Sequence, residues 1–303
     1  MKDYIETETS SGILYTYKAT TKIHFFSLFP GILLSFNDVH TASLPPMEFT
    51  PAKNCITVNF AAFGTCELLS SAGNFIYVKG GNLVLSREKP AHPFHYPLGD
   101  FFGVEIYLLP EHIDSNSLSP FHISAEDIQR NYLFERDTFI AGDGDILTPV
   151  FQNLIKLYRD DILDLSLLQL YTLTILRILT SGLSYIRPIR ANALIPSQVD
   201  CAKKARQILA ENIAKKIPLR ILASSLNISE TGLKNCFKAV YGENISTYVL
   251  NLRMTAAANF LKTTNLPISQ ISGNVGYENQ SKFSAVFKKY FGMTPLIFRK
   301  NAL

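Results

Sequence analysis

One pattern occurs twice in the last third of this 303-residue chain, and it narrows the possible folds more than any other feature. Phe237-Lys238-Ala239-Val240-Tyr241-Gly242 returns as Phe287-Lys288-Lys289-Tyr290-Phe291-Gly292, an offset of 50 residues. At that offset Leu233 falls on Phe283, Ser229 on Asn279 and Ile221 on Ile271. A repeated supersecondary unit means one packing problem solved twice, each copy hiding an apolar face. Each copy has the same plan: a short helix, a tight turn, a capping residue and an amphipathic helix that stops at glycine. In the first, Ile221-Leu222-Ala223-Ser224-Ser225-Leu226 is the predicted short helix and Asn227-Ile228 the turn; Ser229 then caps a helix that turns Leu233, Phe237 and Val240 inward. In the second, Pro267 opens the short helix and Val275-Gly276-Tyr277 makes the turn. Asn279 caps a helix that buries Phe283, Val286 and Phe287. This is the helix-turn-helix plan, whose second helix enters the DNA major groove.

Between the copies a long helix is predicted over 245–263, through Tyr248, Leu252, Ala256, Ala257, Phe260 and Leu261. At ~1.5 Å per residue it spans nearly 30 Å, close to the ~34 Å between successive major-groove faces of one side of B-DNA. Charge agrees with such a partner. The overall net charge of +4 hides a split: Met1 to Pro196 carries 14 Lys+Arg against 20 Asp+Glu, whereas Ser197 to Leu303 carries 15 against 5. A basic last third joined to an acidic remainder points to a polyanion, with nucleic acid favoured over membrane.

The first part of the chain reads differently. Up to about residue 125 it is strand-rich. Cys55 to Phe60 alternates apolar with polar residues, Gly73 to Ser86 reads as a hairpin around Gly80-Gly81, and Phe101 to Leu108 reads as a further strand. Short strands with Gly and Pro punctuation suggest an antiparallel sandwich or barrel. After Asp143-Gly144-Asp145, a turn, apolar residues at Val150, Phe151, Leu154, Ile155, Leu157 and Tyr158 fall at helical spacing. A second helix is predicted from Asp164, its N-cap, to Leu183, with Gly182 near its end. It is apolar on two sides, with Leu165, Leu168, Leu176 and Leu179 on one and Leu167, Leu170, Tyr171 and Ile178 on the other. Both sides call for burial, one on the barrel and one on a partner helix of this chain or of a second subunit. The segment 186–197, with two prolines and no helical period, reads as the linker between domains 1–185 and 198–303.

Catalytic signatures are sparse. His92 and His95, with His112 and His122 further on, are an incomplete ligand set, so hydrogen-bonding or surface roles are expected and no metal or other cofactor. No G-x-S-x-G, P-loop or G-x-G-x-x-G occurs. A cupin-type metal-dependent enzyme with a basic nucleic-acid-binding tail is the rival reading, and it lacks its constellation; a protein that is not an enzyme is expected. Cys55, Cys66, Cys201 and Cys236 share no C-x-x-C spacing and read as reduced thiols. The acidic, polar start does not resemble a signal peptide, and Ile162 to Leu183 carries Asp164, Gln169 and Arg177, so no membrane association and a cytoplasmic location are expected.

Taken with the rest of the pattern, residues 198–303 resemble the DNA-binding domain of the AraC/XylS family of bacterial transcription regulators. The matching residues are Ala223, Ser229, Leu233, Phe237-Lys238, Gly242, Arg253, Ala257, Leu261, Ile271, Gly276-Tyr277, Ser281, Phe283, Phe287-Lys288, Gly292, Thr294-Pro295 and Arg299. The resemblance implies an α+β chain: an N-terminal antiparallel cupin-like β barrel with a helical dimerisation pair, then an all-α domain whose two helix-turn-helix motifs are joined by a long helix. It implies a homodimer that binds promoter DNA, answers a small-molecule effector, meets RNA polymerase and activates rather than represses. The expected base readers are Glu230, Thr231, Lys234 and Asn235 in the first motif, and Asn279, Gln280, Ser281 and Lys282 in the second. Ser229, Lys238, Arg253, Lys288 and Lys289 are the expected phosphate contacts. Tyr77, His95, Tyr96 and Tyr107 are the candidate effector contacts, and Leu167, Leu168, Tyr171 and Leu176 the candidate dimer interface. The sequence departs from the family pattern at Ser272-Gly273, where an Ala-containing helix is usual, and at Ala285, where Arg is frequent.

Overall fold

The computed structural model describes residues 3–45, 55–70, 73–87, 94–113, 118–133, 138–142, 146–182, 186, 188–189 and 193–302. The chain divides into two compact units, Met1–Ala193 and Leu194–Leu303. His92 and the Asp143-Gly144-Asp145 turn lie outside the described residues.

Among the described residues the first unit is built on nine antiparallel strands: β1 Ile5–Glu8, β2 Ile13–Tyr17, β3 Thr21–Phe29, β4 Ile32–Val39, β5 Ile56–Leu69, β6 Phe75–Lys79, β7 Leu83–Ser86, β8 Phe101–Leu108 and β9 Thr138–Ala141. Their order is β1-β2-β3-β4-β8-β5-β7-β9, with β6 also beside β5. Side chains alternate between the two faces of such a sheet. One set, Phe26, Leu34, Phe36, Val58, Phe60, Leu85, Val104 and Ile106, joins a core with three helices: α1 Ala125–Tyr132, α2 Leu147–Arg159 and α3 Leu165–Thr180. The opposite set gathers Ile23, Val39, Ala61, Cys66, Val78, Val84, Tyr96, Phe101 and Ile140 into a second cluster. Two apolar clusters on opposite faces give a layered unit, an antiparallel sheet with helices on one side.

The expected hairpin around Gly80-Gly81 is not one. β6 and β7 do not pair with each other; both pair with the long strand β5, at Thr65–Leu69 and Thr57–Phe60 respectively. Gly80 and Gly81 donate to the carbonyls of Gly64 and Ala61, next to a register shift in β5 between Ala61 and Phe63. The glycine pair therefore makes a corner in an interrupted strand, and the true hairpin is β5–β6. The local pattern of two β runs around Gly-Gly fits either arrangement. Only the fourteen residues of β5, long enough to template both runs, decide between them.

Helix α3 begins where its cap placed it: Asp164 accepts the backbone N–H of Leu167. Leu168, Ile175, Leu176 and Leu179 are completely buried against the sheet. Leu167 and Leu170 are exposed. Leu168 and Leu176 were expected at a dimer interface and are core instead, because the face they occupy covers the sheet of their own unit.

The second unit is all helical: α4 Pro196–Glu211, α5 Leu219–Ser225, α6 Glu230–Tyr241, α7 Ile245–Thr263, α8 Ile268–Asn274, α9 Gln280–Phe291 and α10 Pro295–Ala302. The segment read as a linker is shorter than 186–197. Ile189 donates to the carbonyl of Ile140 and Pro188 bridges Ala141, both on β9. At the other end Pro196 is the first residue of α4, where a missing N–H costs nothing.

Core position and surface position on α3 separate in stability. Leu176→Ala removes a completely buried side chain and is expected to cost about 2–5 kcal/mol. Leu170→Ala, on the exposed side, is expected to stay within about 0.5 kcal/mol. Urea unfolding of the full chain, with equal m-values for the two variants, checks this.

Candidate nucleic-acid interface

The two helix-turn-helix copies are built from the same local contacts. In the first, the Ile228 N–H returns to the carbonyl of Ala223, and Asn227 sits at φ +53°. In the second, the Tyr277 N–H returns to the carbonyl of Ser272, and Gly276 sits at φ +82°. Asn and Gly are the residues that enter the left-handed region most readily, so the turn chemistry is matched. These equivalences run at an offset of 49, not 50. Leu222, which is buried, corresponds to buried Ile271, while Ile221 is 54 % exposed. The pairing of Ile221 with Ile271 is thus one residue out: the second copy holds one more residue between turn and cap.

From the caps onward the offset is 50. Ser229 accepts the backbone N–H of Gly232, and Asn279 accepts that of Lys282. The helices they open, α6 and α9, end alike at Gly242 and Gly292, both left-handed, each donating to the carbonyl of the lysine four residues earlier, Lys238 and Lys288. Leu233, Phe237 and Val240 are completely buried on α6, as are Phe283 and Phe287 on α9. That leaves the opposite face of each helix to solvent. Glu230, Thr231, Lys234 and Asn235 are all exposed on α6. Asn279, Gln280, Ser281 and Lys282 are exposed at the start of α9, and Lys288 and Lys289 near its end. Lys238 is exposed one turn from the end of α6. Polar groups in the first two turns can meet base edges, while the lysines further along reach backbone phosphates.

Arg253 is differently placed. It lies midway along α7 and points into its own unit: Nε donates to the carbonyl of Ile213 (3.0 Å), Nη2 to Lys215 (3.1 Å) and Nη1 to Gly276 (3.3 Å). Its guanidinium lies over the Tyr277 ring, 5.7 Å from the centroid. A guanidinium whose three nitrogens all serve backbone carbonyls is committed internally, and the phosphate role expected of Arg253 is not the one the geometry offers. Ser229 accepts an N–H of its own helix, and its O–H remains available to donate.

The residues singled out in the first unit converge in part: Tyr77 and His95 both flank Glu67, and Tyr96 lies within electrostatic reach of Glu105. Tyr77 is buried and donates to a Glu67 carboxylate oxygen at 2.6 Å. His95 is exposed, and its backbone pairs with Glu67. Tyr96 is buried in the second apolar cluster beside Phe101. Tyr107 belongs to a group around Glu105 that sequence reading missed. It donates to Glu105 at 2.7 Å, and Glu105 lies directly across from Ser35 on β4 and Asn59 on β5, so all share one sheet face. Burial pushes the Glu105 carboxyl above its ordinary range, against hydrogen bonds from Tyr107, Asn37 and Asn59 that favour its charged form. Single polar residues in alternating strands carry no signal that they will meet; the pairing register brings them together. A separate groove of about 660 Å³ is lined by Lys22, His24, Asp38, His40, Tyr158 and Arg159, among others. His112 and His122 are both exposed, and among the described residues no group of three or more His, Cys, Asp or Glu side chains could hold a metal ion. Among those residues, too, no helix is long and apolar enough to cross a membrane.

Comparison with known proteins agrees with the geometry of the second unit. Residues 222–301 match the family described as a helix-turn-helix domain. The chain is 31% identical over 98 residues to the Msm operon regulatory protein of Streptococcus mutans, covering 32% of this chain and 35% of that protein. It is 33% identical over 95 residues to the HTH-type transcriptional activator CfaD of Escherichia coli, covering 31% and 36%. Among solved structures, the C-terminal domain of AraT, a response regulator from Geobacillus stearothermophilus, is 32% identical, with 33% of this chain and 84% of that chain covered and a TM-score of 0.33. The matched part spans about a third of the length of these curated relatives. The second unit is a DNA-binding helix-turn-helix domain. Its type is that of the AraC family of transcription regulators.

Two departures from the family pattern have clear physical consequences. Ser272 is buried and donates to the carbonyl of Tyr277 at 3.2 Å, so its hydroxyl is used in the turn. Gly273 is exposed, and a Cβ there would meet nothing within 4 Å. Gly273→Ala is expected to stabilise the chain by up to about 1 kcal/mol. Ser229→Ala, which orphans a helix N-terminus, is expected to cost about 1 kcal/mol. Opposite shifts of the urea midpoint for the two variants are the outcome to look for.

Proposed function

We propose that this chain is an effector-responsive transcriptional activator, a regulator rather than an enzyme. It places α6 and α9 in successive major grooves of promoter DNA. The observation that carries the reading is the pair of capped helices with buried aromatic faces and exposed polar first turns, joined by a nineteen-residue helix. That helix is nearly 30 Å long at ~1.5 Å per residue, and adjacent major-groove faces are ~34 Å apart. Lys234 can donate to guanine, and Asn235 and Gln280 can pair with adenine through two bonds. Glu230 repels phosphates but accepts from cytosine. RNA polymerase is the partner an activator of this kind meets on the promoter.

In the first unit we propose that a small-molecule effector contacts the inner sheet face around Glu105, Tyr107, Asn37 and Asn59. Supporting this are the several hydrogen-bonding groups held on one face, among them a buried Asn59 side-chain oxygen with no partner of its own. For the dimer, the exposed side of α3 keeps Leu167 and Tyr171 of the residues first expected and takes Leu170 in place of the buried Leu168 and Leu176. Leu167 (36 %) and Leu170 (59 %) form an apolar stripe with half-buried Tyr171. A second copy of the same stripe is the occupant we propose, since a two-fold contact matches an apolar patch with itself.

Binding-site selection with the full chain, followed by affinity measurements at several salt concentrations, tests the DNA reading. Lys234→Ala or Asn235→Ala is expected to relax preference at a few adjacent positions, each such contact being worth ~1–3 kcal/mol of discrimination. Lys288→Ala is expected to weaken all sequences alike and lower the salt slope by about one unit. If Lys288→Ala rewrites the selected site while the other two leave it unchanged, the helices lie in the grooves the other way round. Separately, Leu167→Glu with Leu170→Glu is expected to convert a dimer into a folded monomer; a wild-type chain that sediments as a monomer at high concentration would remove the dimer.

A further inference from the structure

Arg253 is an anchor on the helix that joins the two DNA readers, and its contacts come from segments on either side of that helix in the chain. Two of its hydrogen bonds go to the loop between α4 and α5, at Ile213 and Lys215, which belongs to the first motif. The third goes to Gly276, in the turn of the second motif, with Tyr277 against the guanidinium face. The two segments also meet each other. A Cβ added to Gly276 would lie 2.7 Å from the carbonyl oxygen of Ala214 and 2.7 Å from Nη2 of Arg253, so the second turn seats directly on the first motif's loop. Ser272 holds the same turn from the other side, through its hydroxyl and through its carbonyl, which accepts the Tyr277 N–H. One side chain thus ties three pieces of backbone together: the long helix, the loop before α5 and the turn before α9.

We propose that Arg253 is the positioning residue that fixes the spacing and phase between the two recognition helices. It contacts no DNA itself, yet it sets which separation of half-sites the protein accepts. The inference rests on the reading that both α6 and α9 read bases. Its physical basis is effective concentration. When one reader is bound, a rigid connection presents the other at the next groove, whereas a loosened connection spreads it over many orientations. A planar guanidinium suits this task, because its fork serves three carbonyls at once; a lysine ammonium in its place is a single point charge on a flexible stem.

The test uses the full chain and duplexes that the wild-type protein selects from a random pool. Affinity is measured for the selected duplex, for duplexes with one or two base pairs inserted between the half-sites, and for duplexes with one half scrambled. Arg253→Ala is expected to weaken binding to the selected duplex by about tenfold, the scale expected when linkage between two modules is loosened. It is expected to leave half-scrambled duplexes within about twofold, shrink the penalty for insertion, and leave the salt slope unchanged. Arg253→Lys keeps the charge and loses the fork, and is expected to give the same pattern in a chain that melts nearly as the wild type does. The proposal is overturned if half-scrambled duplexes weaken in parallel with the selected one. It is also overturned if the salt slope falls by about one unit, which is the signature of a phosphate contact. If the wild-type chain selects only a single half-site, the two-reader reading itself fails, a result distinct from either of these.

Discussion

The second unit depends on the burial of α7 from two sides. Its first turns supply Tyr248, which packs against Phe237 at 5.4 Å between ring centroids in the core of the first motif. Its middle and last turns supply Met254, Ala257, Ala258 and Leu261 to the core of the second, around Phe283 and Phe287. A helix apolar on several sides is stable only when covered on all of them, so neither motif is complete without the helix and the helix needs both. The small side chains at Ala257 and Ala258 let neighbouring helices approach closely. Arg253 sits where the two cores divide, on the side where backbone carbonyls of both motifs converge.

That division of labour explains why the recognition helices can be so polar on their outer faces. Their stability comes from the inner face and from the ends: Ser229 and Asn279 satisfy N-terminal N–H groups, and Gly242 and Gly292 close the C-termini. Nothing on the outer turns is needed for folding, so Glu230, Lys234, Asn235, Gln280 and Lys282 are free to be chosen for what they touch. Ala285 lies on the same outer face and is exposed.

The first unit solves a different problem. A long antiparallel sheet has two faces to cover: α1, α2 and α3 cover one, and the other holds a second apolar cluster of its own. The inner face changes character along its length, from the apolar group around Tyr96 and Phe101 to the polar group around Glu105 and Tyr107. On the helix-covered face, the stacked pair Phe60 and Phe151, 4.6 Å apart, fixes α2 on the sheet. A separate polar contact, from the side-chain amide of Gln169 to the Leu28 carbonyl at 2.7 Å, ties α3 to β3.

The sequence by itself determined what local rules govern. The repeat, the caps at Asp164, Ser229 and Asn279, the limits of α7 and the inward aromatic residues of α6 and α9 all follow from period, propensity and end chemistry. These signals reside within one or two helical turns, and so they survive in a linear reading. Tertiary structure decided everything that depends on which distant segments meet. It turned the Gly80-Gly81 hairpin into a corner, because β5 is long enough to pair with both flanking runs. It shifted the first helices of the repeat by one residue, because an added residue before Asn279 changes register without changing pattern. It buried Leu168 and Leu176 and exposed Leu170, since a helix apolar on two sides does not say which side its own sheet takes. It also drew Arg253 away from DNA toward three carbonyls, because a long charged side chain goes where unpaired acceptors gather, and their positions are set by residues 23 to 40 places away in the chain.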